Sequence, residues 1–123
     1  MKTRCACKGF FLDKFIRPSI LLELYDQDLK GPDILKQLNS GPMVKYGKFD
    51  PTGFYRMLKV MEEEGIIVSR WEIHESKKPI KVFSITTEGK YCLQMWELTF
   101  KQYIKDISEL SAQITEKISR DKK

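Results

Sequence analysis

The chain has 123 residues, 41% of them hydrophobic and 32% charged, with 22 Lys and Arg against 17 Asp and Glu for a net charge of +5. That is one domain's length with room for a single core, and the composition is that of a globular rather than a disordered chain. No apolar run approaches the roughly 20 residues of a membrane span, and Phe10-Phe11-Leu12 is cut off by Asp13 and Lys14 with no small-residue cleavage site behind it, so a cytoplasmic protein without an export signal is expected.

Residues 1 to 16 read as a basic arm carrying Phe10, Phe11 and Phe15, a cluster expected to pack on something. Pro18 is expected to open a helix that runs to about Asp26, with Ile20, Leu21, Leu24 and Tyr25 facing inward. Gly31-Pro32-Asp33 breaks it and starts a shorter helix, Ile34 to Leu38, which stops at Asn39-Ser40-Gly41-Pro42. A loop from Met43 to Phe49 leads to the next helix.

That helix, Asp50 to Glu64, has the most marked pattern in the chain. Asp50 can cap its first free amides, Pro51 suits the first helical position, and Gly65 can end it in a left-handed turn. Phe54, Leu58 and Met61 recur at helical spacing as a buried stripe, while Thr52, Tyr55, Arg56 and Lys59 fall off it. Three short-linked helices, the third with a basic and hydroxyl-bearing outer face, make a helix-turn-helix core.

Behind it, Ile66 to Ile73 and Ile80 to Thr86 are rich in branched and aromatic residues, with Phe83 and Ile85 on one face, and the turn His74 to Pro79 places two lysines at its tip. This hairpin is expected to form a two-stranded wing. Positive charge collects on the same parts of the chain. Residues 43 to 60 carry Lys45, Lys48, Arg56 and Lys59 against Asp50 alone, and residues 70 to 82 carry Arg70, Lys77, Lys78 and Lys81 against Glu72 and Glu75. The pattern points to double-stranded DNA. Arg56 is suited to bidentate contact with guanine, Thr52 and Tyr55 to phosphate or a thymine methyl, and Lys45, Lys48, Lys59, Lys77, Lys78 and Lys81 to phosphate. For Tyr55 the competing reading is partial burial against the helix-turn-helix core.

Thr86 or Thr87 can cap a last helix reaching about Arg120. Phe100, Ile107 and Ile114 repeat every seven residues, as do Ile104, Ser111 and Ile118, with Leu110 beside them. That seam is of coiled-coil type, and its expected partner is the same helix of a second copy. The fold class is therefore mainly α (α+β), a winged helix-turn-helix with a two-stranded β-wing and a long C-terminal dimerisation helix. Its expected parts are an arm (1–16), a DNA-binding domain (17–86) and the dimerisation helix (87–123).

An enzyme is not expected. The single histidine, His74, falls in the wing turn, and no nucleophile and base, phosphate loop or zinc-finger spacing is present. The three cysteines, an odd number, argue for reduced thiols. Cys5 and Cys7, one residue apart, could supply two ligands to a thiophilic metal or metalloid and Cys92 a third. The plainer alternative is an inert arm and a small buried hydrophobe.

Taken together, Arg17-Pro18-Ser19-Ile20-Leu21-Leu22, Gly31-Pro32-Asp33-Ile34, Thr52-Gly53-Phe54-Tyr55-Arg56-Met57-Leu58, Met61-Glu62-Glu63-Glu64-Gly65-Ile66-Ile67 and Phe83-Ser84-Ile85-Thr86-Thr87-Glu88-Gly89, followed by the terminal helix, resemble the PadR-like family of bacterial transcriptional regulators. Two departures stand out: Lys30-Gly31-Pro32 replaces the family's usual aromatic residue after the glycine, and the wing is less arginine-rich than many. The resemblance implies a winged-helix homodimer, usually a repressor, that binds a palindromic operator and is released by an effector. It also implies that the dimer interface can enclose an aromatic-lined pocket for a small aromatic effector, with Trp96 as a wall and Tyr91 and Met95 beside it. Plain packing against the arm's phenylalanines is the alternative for these side chains. A subset of the family shares the Cys-x-Cys arm, the Trp71 strand and the run Cys92-Leu93-Gln94-Met95-Trp96, which supports the metal- or redox-sensing alternative. The competing class is a winged helix that docks a protein through its wing and arm.

Overall fold

In the computed structural model, which describes residues 15–41, 44–45, 47–75 and 77–122, the elements follow the order α1 (Ile16–Leu24), β1 (Leu29–Lys30), α2 (Gly31–Leu38), α3 (Pro51–Glu63), β2 (Ile67–Glu72), β3 (Ile80–Ile85) and α4 (Thr87–Asp121). The arm's Cys5, Cys7, Phe10 and Phe11 lie outside the described residues. So does the expectation that the arm packs on the core.

α1 starts two residues before Pro18. The first four amides of a helix have no partner within it, so a proline third in line costs no hydrogen bond. Ile20, Leu21 and Leu24 are buried as expected, joined by Ile16. Tyr25 is not on the inner face: it caps the helix end at 41% exposure, with Lys90 Nζ 5.2 Å from its ring centroid.

The wing has the two expected strands plus a third. β2 and β3 pair antiparallel in the register Ile67↔Ile85 to Glu72↔Ile80, and β1 joins the other edge of β3 through Leu29↔Phe83 and Lys30↔Val82, giving the order β1-β3-β2. A two-residue strand is too short to show alternation, which is why the sequence did not announce it. The sheet's inner face closes over the helices. Phe54, Leu58 and Met61 of α3 meet Ile20, Leu21, Leu24, Ile34, Ile67 and Phe83 in one buried cluster, and Cys92 and Leu93 pack against it partly buried.

α4 is tied to this core at its first turn. The Thr86 hydroxyl donates to the Gly65 carbonyl (2.7 Å) and accepts from the Gly89 amide (3.0 Å), while the Thr86 amide donates to Ile66 O (3.2 Å). A Cβ on Gly89 would fall 2.1 Å from Ile66 O, so only glycine allows the helix to approach this closely. The chain divides into two compact units, Met1–Leu93 and Gln94–Lys123, the boundary falling within α4. Among the described residues no helix is long and apolar enough to cross a membrane.

Candidate nucleic-acid interface

α3 is fixed at both ends by local chemistry. The Asp50 carboxylate accepts from the Gly53 amide at 2.9 Å, capping a start that Pro51 preorganises. At the other end Gly65 adopts φ 79°, and the amides of Ile66 and Gly65 donate to Met61 O (3.2 Å) and Glu62 O (3.1 Å), the paired bonds of a left-handed helix stop. The loop ahead of α3 is pinned by Asn39, whose side chain accepts from the Phe49 amide (2.7 Å) and donates to the Phe49 carbonyl (3.3 Å). In the sequence Asn39 reads only as a helix stop; its role as a clamp on the next helix has no local signature.

With Phe54, Leu58 and Met61 directed into the core, Thr52, Tyr55, Arg56 and Lys59 are all exposed. At ~100° per residue they share an outer face about 100° wide. Among the described residues Arg56 and Lys59 make no ion pair, and neither do Lys48, ahead of the helix, nor Lys77 and Lys78 in the wing turn, all exposed. Lys45 is exposed as well.

Other cations near this face are engaged. Arg17 pairs with Glu64 and donates to the Met57 sulfur, tying α1 to the end of α3. Arg70 donates to Asp28 and Glu72, each at 2.9 Å, and to Ser84 at 3.0 Å; the Asp28 hydrogen bond first, then that to Glu72, raises its pKa. A guanidinium so occupied braces the sheet against the α1–β1 link. Lys81 lies 3.9 Å from Glu62 and near the rings of Phe83 (5.5 Å) and Trp71 (5.9 Å), and Glu62 also accepts from the Ser69 hydroxyl. Glu62 thereby joins α3 to both strands of the wing.

Between α3, the start of α2 and β3 runs a groove of about 740 Å³, floored by Gly31, Leu58, Ile80 and Phe83, with Lys30, Lys59 and Lys81 along its walls. Glu62 and Glu63 line it too, so the groove carries both signs of charge, with Lys81 beside Glu62.

The α4 seam residues sit on one side of the helix: Phe100 is partly exposed, and Ile104, Ile107, Leu110, Ile114 and Ile118 are each more than half exposed. Of the candidate effector residues, Tyr91 is 64% and Met95 43% exposed, and Trp96 tilts against Phe100 with centroids 5.4 Å apart. Among the described residues no three His, Cys, Asp or Glu side chains converge to hold a metal.

The sequence model of the transcriptional regulator PadR-like family matches residues 20–95. No curated protein matches the chain. Among solved structures, a protein of Thermoplasma acidophilum assigned as a transcriptional regulator is similar at 27% identity and a TM-score of 0.68, covering 82% of this chain and 94% of that one. A PadR family transcription regulator of Clostridium difficile is similar at 24% identity and 0.69, covering 78% and 97%. Bacillus subtilis PadR in complex with operator DNA matches at 24% identity and 0.58, covering 72% of this chain and 57% of that one. The last two share the winged-helix fold seen here. With the family match spanning the helix-turn-helix, the wing and the first turns of α4, the chain belongs to the PadR-like family of transcriptional regulators.

Proposed function

We propose that the protein is a sequence-specific DNA-binding repressor that acts as a homodimer on a palindromic operator and is released by an effector. The observation that carries the DNA reading is the state of the cations around α3 and the wing: among the described residues Arg56, Lys59, Lys77 and Lys78 make no ion pair, while Arg17, Arg70 and Lys81 are bound to carboxylates. The capped N-terminal turns of α3 enter the major groove, with Arg56 on a guanine edge and Thr52, Tyr55 and Lys59 on phosphate or a thymine methyl. Lys45, Lys48, Lys77 and Lys78 hold the backbone to either side. Lys81, anchored to Glu62, reaches phosphate less freely and acts mainly in setting the wing. Two copies join through the apolar seam of α4, which sets two reading helices on two half-sites.

The test is a titration of duplexes chosen by the protein from a random pool, across a salt series. Sequence-selective binding that weakens steeply with salt supports the reading. Equal affinity for chosen and scrambled duplexes contradicts it.

One observation favours a second reading. Trp71 (63% exposed) near the end of β2, an edge strand, and Ile73 (78%) just beyond it suit a protein-docking wing. In that case Trp71→Ala would abolish partner binding and leave DNA affinity unchanged.

A further inference from the structure

Gly31 is the first residue of α2, directly after β1, and it is buried. Among the described residues the glycines with positive φ are Gly47 and Gly65, so the backbone at position 31 lies outside the region that demands glycine. Space is what excludes a side chain there. A Cβ on Gly31 would fall 2.8 Å from Cε1 of Tyr55, 3.5 Å from its hydroxyl and 3.6 Å from Cζ. The tyrosine ring thus lies against the start of α2 and also makes an edge-to-face contact with Phe54 (5.0 Å, 72°). The obstacle is the far end of a side chain that is itself 44% exposed, so an added methyl group turns the ring aside and leaves the core intact. At Gly89 the obstacle is a backbone carbonyl, which cannot turn.

We propose that Gly31 is a positioning residue for the DNA contact. By presenting no side chain it seats the Tyr55 ring on the first turn of α2 and holds the phenol hydroxyl at the junction of α2 and α3, where a phosphate of the bound duplex passes. The inference rests on the reading that α3 enters the major groove. It divides the two explanations of Tyr55 differently from the sequence: the ring's packing on α2 is what makes the hydroxyl a fixed contact, because a preorganised donor loses less freedom on binding than a mobile one. Phosphate contacts of this kind set the register of the reading helix without reading a base themselves.

The test is a double-mutant cycle of Gly31→Ala and Tyr55→Ala on the duplex that the wild type selects from a random pool, with melting temperatures alongside. Gly31→Ala is expected to melt no lower than the wild type and to bind about tenfold more weakly, Tyr55→Ala to lose a similar factor, and the double variant to bind no worse than Tyr55→Ala alone. Wild-type affinity in Gly31→Ala, or losses that multiply in the double variant, would overturn the proposal. Should Gly31→Ala fail to fold, the double variant decides: if it folds, Tyr55 was the obstacle; if it does not, the proposal fails. A wild-type protein that selects no sequence would bring down the DNA reading itself, a failure distinct from an unchanged Gly31→Ala.

Discussion

The two units of the chain satisfy their apolar residues in opposite ways. In the first, Ile16, Ile20, Leu21, Leu24, Ile34, Leu58 and their neighbours close on one another, with no buried polar side-chain atom left without a partner among the described residues. In the second, no described residue is buried, and Ile104, Ile107, Leu110, Ile114 and Ile118 stay 51% to 66% exposed. Burial of an aliphatic or aromatic side chain stabilises by about 1.5 to 3 kcal/mol, so the first unit holds most of the chain's folding free energy. The second holds most of what is free to be gained by association. Under the proposed dimer, the reading head folds on its own contacts and pairing of the heads is left to concentration.

Substitutions in the two units should therefore act on different observables. The largest effect is expected from Phe54→Ala, which empties the centre of the core and should cost about 3 to 5 kcal/mol, seen as a lower denaturant midpoint. Gly89→Ala sets a methyl group against the Ile66 carbonyl and should cost at least about 3 kcal/mol, the upper range of overpacking. In the second unit Ile107→Lys with Ile114→Lys should raise the dimer dissociation constant by roughly a hundredfold in sedimentation, since two charges would have to be desolvated in the seam. That variant should keep the near-ultraviolet signature of a folded head. A double lysine variant that unfolds instead would break the division between the units.

Smaller effects sharpen the picture within the first unit. Arg56→Ala should remove about 1 to 3 kcal/mol of discrimination at one base pair, read by competition between single-substituted duplexes. Replacing Lys77 and Lys78 with alanine should weaken all duplexes alike and lower the salt slope by roughly 2. Asp50→Ala should cost about 1 kcal/mol in thermal unfolding through loss of the cap.

Much of this was legible in the sequence where the signal is local. Asp50, Pro51 and Gly65 bracket α3 by capping chemistry that needs no tertiary context, and the Phe54, Leu58, Met61 spacing marks its inner face. The β2–β3 hairpin shows itself through branched residues around a polar turn. What was hidden depends on partners distant in the chain. β1 is a strand only because β3 lies beside it. Asn39 clamps Phe49 from ten positions away, Arg70 looks like a free wing cation until Asp28 is brought to it from 42 residues away, and Lys81 looks like a phosphate ligand until Glu62 meets it. Tyr25, placed inward by spacing, turned out to cap a helix that ends at Leu24, two residues before the Asp26 that the pattern suggests.

The central claim is that the outer face of α3 reads DNA sequence. Its most direct test is binding of the wild type and Arg56→Ala to a duplex from upstream of the protein's own gene and to a scrambled duplex, from low to physiological salt. The account predicts a preference of the wild type for the native duplex that survives added salt, and a loss of that preference in Arg56→Ala with affinity for scrambled DNA nearly kept. Equal loss on both duplexes would remove Arg56 from base reading, and a wild type that shows no preference for any genomic fragment would contradict the account.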